Sequence, residues 1–450
     1  MTLTVEEVTA LAPDDASAKA ARGLVVPAKW PLLGANESAA WGECQGSGSK
    51  PYQTQVDLSG PAFRCSCPSR KFPCKHGLAL LLLRAAHAPR FVDGQPPAWV
   101  SEWLASRGDK AQKKQTQEAV KAAAPVDPQA AAKREAQRWK RIEGAALDLQ
   151  RFLADQLARG IGSLDANALK TWATMSARMV DAQAPGLGAR LQETTAGVRR
   201  DERWPERTLQ GLGLLQLGCD AFSRRDTLSP AQQADLRTLA GWPHDQAEVS
   251  ANGERVADRW LVLGSVTEER ANKLTERRVW LHGTRSGRVG WLLDHAFAGR
   301  GFDQFWFTGT AIDATLAFFP SASPLRALAL ERGEASDSRE AGDFLQRAAA
   351  ASSNDAAWRQ VAERVAACPW IALHPLLLRD VVVEFGDGRP WLRQGRAAWP
   401  LRLGDAELWR LLACTGGASV TLAGEWDGAA IQALTAWTDG GPPAWIKEAA

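Results

Sequence analysis

Ala62-Phe63-Arg64-Cys65-Ser66-Cys67-Pro68-Ser69-Arg70-Lys71-Phe72-Pro73-Cys74-Lys75-His76, running into the apolar stretch Leu78 to Leu83, decides how the first hundred residues fold. Three thiols and an imidazole fall within twelve residues as two close pairs, which is how a tetrahedral Zn²⁺ site is usually supplied. Cys65, Cys67, Cys74 and His76 are therefore the candidate ligands of one structural zinc ion. Four ligands and no fifth candidate imply a closed site rather than one with an open catalytic position. So short a hairpin and helix bury little apolar surface unaided, and metal binding should contribute directly to folding. Reduced cysteines in a small core are the plain alternative; an iron-sulfur cluster fits less well, because imidazole is the rarer ligand there.

Upstream, Ala39 to Cys44 reads as a strand and Tyr52 to Leu58 as a second. Tyr52, Thr54, Val56 and Leu58 alternate with Gln53, Gln55 and Asp57, a period of two that predicts a half-buried strand. The intervening Gly46-Ser47-Gly48-Ser49-Lys50 superficially suggests phosphate cradling, but between two strands it is a hairpin loop. Ser59-Gly60-Pro61 turns the chain into a third strand that delivers Cys65 and Cys67. From Cys74 the sequence is helical to about His87, which puts the second ligand pair at the positive end of a helix dipole. Cys44, alone on its strand, reads as packing, and His87 as a surface residue. Thr4-Val5-Glu6-Glu7 and Asp14 or Asp15 are cap signals for two short N-terminal helices, the second stopping at Gly23.

The pattern Cys-x-Cys-x6-Cys-x-His, ending on a Leu-rich helix after a strand hairpin, resembles the SWIM-type zinc finger. Cys65, Cys67, Cys74 and His76 match that family's ligand positions one for one. The flanks Trp41-Gly42-Glu43-Cys44-Gln45-Gly46-Ser47-Gly48 and Pro68-Ser69-Arg70-Lys71-Phe72-Pro73 are similar to its bacterial members. The finger covers about residues 53–87 and the wider resemblance roughly the first hundred. It implies zinc binding with a role in DNA or protein interaction. Bacterial proteins of this appearance are commonly encoded beside a MoxR-type AAA+ ATPase and a von Willebrand A-type protein, which implies a component or adaptor of such a system.

Charge bears on the choice of partner. The 450 residues carry a formal net charge of only +3, which argues against bulk attraction to nucleic acid or membrane. The window 61–90 nevertheless holds six cations, Arg64, Arg70, Lys71, Lys75, Arg84 and Arg90, and no Asp or Glu. Arg64, Arg70, Lys71 and Lys75 on a finger suit phosphate contact. Equally, they offset a Cys₃His site whose formal charge with Zn²⁺ is −1. Protein contact is the first reading and nucleic acid the alternative.

The whole chain reads as an α+β multidomain protein: an N-terminal domain over 1–105 holding a zinc-stabilised ββα finger and a small antiparallel sheet, a Lys/Gln/Ala-rich linker over 106–138, a helical region over 139–240, and a mixed α+β region of antiparallel sheets and helices over 241–450. Trp139, Ile142, Ala146, Leu149, Leu153 and Leu157 repeat at helical spacing and open four or five helices. Beyond Trp242, Trp260 to Leu263, Val279 to Leu281, Val289 to Leu293 and Thr315 to Phe319 suggest an antiparallel sheet with a hairpin at Thr284 to Gly287. Phe344 to Ala367 reads as one helix. Gly386-Asp387-Gly388 marks another hairpin, with a helix near Glu407 to Ala413 and a strand at Ser419 to Leu422 after it. The aromatic group Phe302, Phe305, Trp306 and Phe307 reads as core.

The remaining chemistry is negative. No phosphate loop, zinc-protease helix, nucleophile elbow or dinucleotide fingerprint is present. His244, His282, His295 and His374 are isolated, and Asp294-His295 would point to opposite faces of a strand. The chain is expected not to be an enzyme, with an unrecognised active site in its C-terminal half as the third possibility. Seven dispersed or motif-bound cysteines, no signal-like start and no long apolar run predict a cytoplasmic chain without membrane contact.

Overall fold

The computed structural model describes all residues except 1–4, 13–14, 47–49, 59–61, 70, 72, 108–127, 271–273, 298–301, 303, 336–340, 346–352, 439–440 and 448–450. Among the described residues it is α+β, with helices gathered in the middle and sheets at either side. The Thr4 cap, the Asp14 cap, the Ser59-Gly60-Pro61 turn and most of the linker lie outside the described residues.

The N-terminal unit packs helix α3 (Lys75–Ala86) on a five-stranded sheet, with α1 (Val5–Ala10) and α2 (Asp15–Arg22) against the outer side of α3. Its strands are β1 (Leu32–Ala35), β2 (Ala39–Cys44), β3 (Tyr52–Asp57), β4 (Ala62–Cys65) and β5 (Val92–Asp93), in the order β4-β3-β2-β1-β5. The expected finger hairpin is thus the edge of a larger sheet, in which β1 and the parallel strand β5 are additions. Leu78 to Leu83 are all buried, because α3 is covered by the sheet on one side and by Val8 of α1 and Ala21 of α2 on the other. A helix apolar all round belongs inside such a layer.

The expected half-buried character of β3 needs correction, since Gln55 and Asp57 are buried at 3% and 8% exposure. A helix over residues 98–107 (α4) lies on that face. Its Val100 packs on Ala39 and Trp41, the Trp99 carbonyl accepts from Gln55, and Arg107 pairs with Asp57 at 3.2 Å. The polar residues of the strand thereby find partners without solvent.

The helical middle comprises α5 (Pro128–Arg159), α6 (Ala166–Asp181), α7 (Pro185–Ala196), α8 (Trp204–Ser223) and α9 (Pro230–Leu239). Helix α5 starts eleven residues ahead of the expected boundary at 139, inside the segment read as linker. Trp139, Ile142, Ala146, Leu149 and Leu153 are core as their spacing predicts. Leu157 is not: it is exposed near the helix end. Asp165 caps α6 through Asn167 and Ala168 amides, and Ser229 with Gln232 forms a capping box on α9.

After α10 (Gln246–Asn252) come β6 (Glu254–Arg270), β7 (Leu274–Gly283), β8 (Val289–Phe297), β9 (Ala311–Phe318) and β10 (Arg326–Ala335). The expected antiparallel sheet closes into a barrel, because β10 pairs antiparallel with β9 and parallel with β8. Trp260, Val262, Leu281, Ile312, Leu316 and Phe318 fill it. A short helix over 341–345 (α11) precedes α12 (Asn354–Ala367). The single helix expected from Phe344 to Ala367 is broken, since Ser353 is extended and caps α12 by accepting from the Ala356 amide.

The last sheet contains β11 (His374–Gly386), β12 (Arg389–Gln394), β13 (Ala397–Arg402), β14 (Val420–Trp426), β15 (Ile431–Trp437) and β16 (Trp445–Ile446), with α13 (Asp405–Thr415) between β13 and β14. The β11–β12 turn has positive φ at Asp387 (52°) and Gly388 (73°), the backbone that the quoted Gly-Asp-Gly allows. This sheet is joined to the barrel by a buried ion pair. Glu425 of β14 accepts from Arg278 Nε at 2.9 Å and Nη2 at 2.8 Å, and from Trp280 Nε1 at 2.7 Å.

Removing the carboxylate strands a buried guanidinium, whose cost is about 3–5 kcal/mol. Glu268 stands 3.8 Å from Arg278 and offers partial relief, so Glu425→Ala should cost near the lower end of that range. Urea denaturation checks this; a loss below about 1 kcal/mol would show that the pair is not a principal joint.

Candidate metal centre

The site is assembled by a hairpin and a helix start. Strands β3 and β4 pair with Thr54 opposite Cys65 and Val56 opposite Phe63. Beyond Cys65 the chain is still tied to β3, because the Ser66 amide donates to the Gln53 carbonyl at 2.9 Å and Ser66 Oγ accepts from the Gln53 amide at 3.0 Å. These bonds fix the Cys65-Ser66-Cys67 knuckle. Cys74 is the N-cap of α3, extended in backbone and without a side-chain cap bond, so its sulfur is left for the cluster. His76 follows on the first turn.

Sγ of Cys65, Cys67 and Cys74 and one ring nitrogen of His76 all lie within 4.8 Å of one another, and Cys65 Sγ stands 3.8 Å from His76 Nδ1. A Zn²⁺ tetrahedron with bonds of about 2.0–2.3 Å has edges of roughly 3.5–3.8 Å, so the donor set is close to that shape already. Cys74 and His76 are buried while Cys65 and Cys67 are half-exposed. The cluster is positioned to bind one zinc ion.

Electrostatics argue the same way. Hydrogen bonding to Cys67 and Cys74, with burial, pushes the Cys65 thiol far up, whereas hydrogen bonds from Cys65 and Cys74 hold Cys67 far below its usual range. Burial disfavours the His76 imidazolium, but hydrogen bonding and charge from Cys67 and Cys74 outweigh it and raise the group to about 9. Four donors this close are short of positive charge, and they retain protons to supply it. A divalent cation supplies it instead and leaves all three sulfurs as thiolates.

Several supporting groups were not singled out from the sequence. Thr54 Oγ1 lies 3.2 Å from Cys65 Sγ, a contact implicit in the hairpin register. The Ser69 backbone hydrogen-bonds to Cys67, and the Tyr52 ring lies 4.9 Å from the His76 ring. Such outer contacts orient ligands and tune their basicity. Gly77 allows the approach of helix to strand, since a Cβ there would stand 2.8 Å from Phe63 Cδ1.

Cys44 is fully buried in the N-terminal core, its thiol raised by burial, and is outside the cluster. His87 is exposed. Arg64, Lys71 and Lys75 are exposed on the finger, while Arg70 lies outside the described residues. Of the aromatic group, Phe305 and Phe307 enter the N-terminal core and Trp306 enters the barrel. Asp294 meets Arg277 at 2.5 Å and His295 meets Glu276 at 3.7 Å, so the neighbouring pair makes no dyad.

A closed Cys₃His cluster on a hairpin and helix defines a zinc-finger protein. Residues 52–85 match the SWIM zinc finger and residues 137–240 match the SWIM-associated four-helix bundle domain, so the chain carries both of these SWIM modules. No curated protein and no solved structure matches it. None of the described helices is long and apolar enough to cross a membrane.

Elemental analysis of the purified chain should give one zinc per molecule, falling below about half an equivalent in a Cys65→Ala/Cys74→Ala double variant. Full zinc retained by that variant would refute the ligand set.

Proposed function

We propose that the chain is a non-catalytic adaptor: a protein-interaction module shaped by structural zinc, whose partner is a MoxR-type AAA+ ATPase or an associated von Willebrand A-type protein. The closed metal cluster carries this reading. With four protein donors around one ion, no position is left for a substrate or an activated water. The choice of partner comes from the resemblance of the finger and its flanks to bacterial proteins encoded beside such ATPases.

Cavities do exist beyond the linker, and in one of them the titratable groups are set against catalysis. One of about 480 Å³ between α7, α9 and the barrel contains His244, Asp235 and Cys368. Burial and the charge of Asp235 push the Cys368 thiol up to about 12, the opposite of what a nucleophile needs. His244 Nε2 is engaged with Thr238 Oγ1 and the Ala234 carbonyl at 3.2 Å each.

A second reading, nucleic-acid binding, is favoured by the exposed Arg64 and Lys75 at the start and end of the metal knuckle. The two readings separate experimentally. Mixed with the purified ATPase from the same source, the full chain should form a complex in size exclusion at about 10 μM and alter ATP turnover. No complex and no change would contradict the adaptor role. Duplex binding that falls steeply with salt and is lost in Arg64→Glu/Lys75→Glu would establish the nucleic-acid role instead.

A further inference from the structure

A second cavity, of about 410 Å³, lies between the β7–β8 hairpin of the barrel and the α12–β11 segment of the last unit. Arg364 of α12 lines it. One terminal nitrogen, Nη2, donates to Gln360 Oε1 at 3.3 Å, but Nη1 is buried with no hydrogen-bond partner. Among the described residues no carboxylate forms an ion pair with this guanidinium. The nearby acid Asp258 is committed elsewhere: it accepts from the Ser286 amide at 2.8 Å and the Arg285 amide at 3.2 Å, and pairs with the Arg285 side chain. Arg285 itself, on the rim, also faces Asp313 at 3.6 Å.

Two imidazoles share this deficit. His282 lines the cavity, and its Nδ1 is buried without a partner, as is that of His374 at the start of β11. Burial, with the charge of Arg364 adding to it, lowers both below the usual histidine range, against the opposing effect of hydrogen bonds to the Gly283 and Ile371 backbones. Apolar side chains, Phe344, Leu376 and Leu377, line it as well. A half-exposed guanidinium with no carboxylate partner is left able to meet an anion. A roomy cavity lined by such a guanidinium, by the imidazole of His282 and by apolar side chains has the composition of a ligand site.

We propose that this cavity binds a small organic anion, whose carboxylate or phosphate oxygen accepts from the Arg364 guanidinium and whose apolar body lies against Phe344, Leu376 and Leu377. The site is separate from the zinc centre, and the inference does not depend on the adaptor role.

The test uses the full zinc-loaded chain with benzoate and phenyl phosphate at matched ionic strength, and benzyl alcohol as the uncharged control, read by calorimetry and thermal shift. At least one anion should bind saturably with one site per chain and raise Tm, while the alcohol does not. The tighter of the two identifies the head group. Arg364→Met should weaken that anion about tenfold or more. No saturable binding of either anion up to about 10 mM would overturn the proposal. So would unchanged affinity in Arg364→Met, or in Arg364→Gln should the methionine variant fold poorly.

Discussion

The mutual attraction of three sulfurs and one imidazole for a single divalent charge is the constraint on which the N-terminal half depends. The knuckle after β4 and the first turn of α3 are joined by little else. Without an ion, thiols this close divide protons between them, with Cys65 pushed up and Cys67 held down. With an ion all three become thiolates and the loop end is fixed to the helix start. Helix α3 can then serve as the central layer between the sheet and the two N-terminal helices. Phe63 transmits the constraint outward. It lies over Gly77, next to the ligand His76, and its other edge meets Phe305 at 5.6 Å between ring centroids.

Phe305 belongs to the loop that leads into β9, so the metal-held corner of the finger is also where the barrel docks. In that loop the side chains alternate: Phe305 and Phe307 are in the N-terminal core and Trp306 is in the barrel. Arg277 and Arg332, from barrel strands, hold the Gln304 and Phe305 carbonyls. The barrel is joined in turn to the last sheet by Glu425 and by Thr435 Oγ1, which donates to the Leu263 carbonyl at 2.6 Å. A closed zinc site at one end is thus connected by buried contacts to the cavities at the other.

What could be read from the sequence was local chemistry. Cys65, Cys67, Cys74 and His76 are legible because ligand spacing is a property of a dozen consecutive residues, and Gly386-Asp387-Gly388 is legible because its backbone demands are met within the turn. The five-residue apolar stripe on α5 is legible for the same reason. Non-local features were not. The partners of Gln55 and Asp57 come from α4, some forty to fifty residues away, so β3 resembled a strand with one wet face. Barrel closure depends on β10, whose sequence Arg326–Ala335 mixes charges with small apolar residues, and on its parallel pairing with β8. Phe305 and Phe307 were legible as core, but not as the core of another unit.

The claim from which the rest follows is that the metal is structural and fully enclosed by this chain. X-ray absorption at the zinc edge tests it most directly, because it counts donors and measures their distances. The structure leads us to expect four-coordinate zinc with three sulfurs at about 2.3 Å and one nitrogen at about 2.0–2.1 Å. An oxygen or water donor in place of one protein ligand, or a fifth ligand, would contradict a closed structural site and reopen the case for catalysis at the metal.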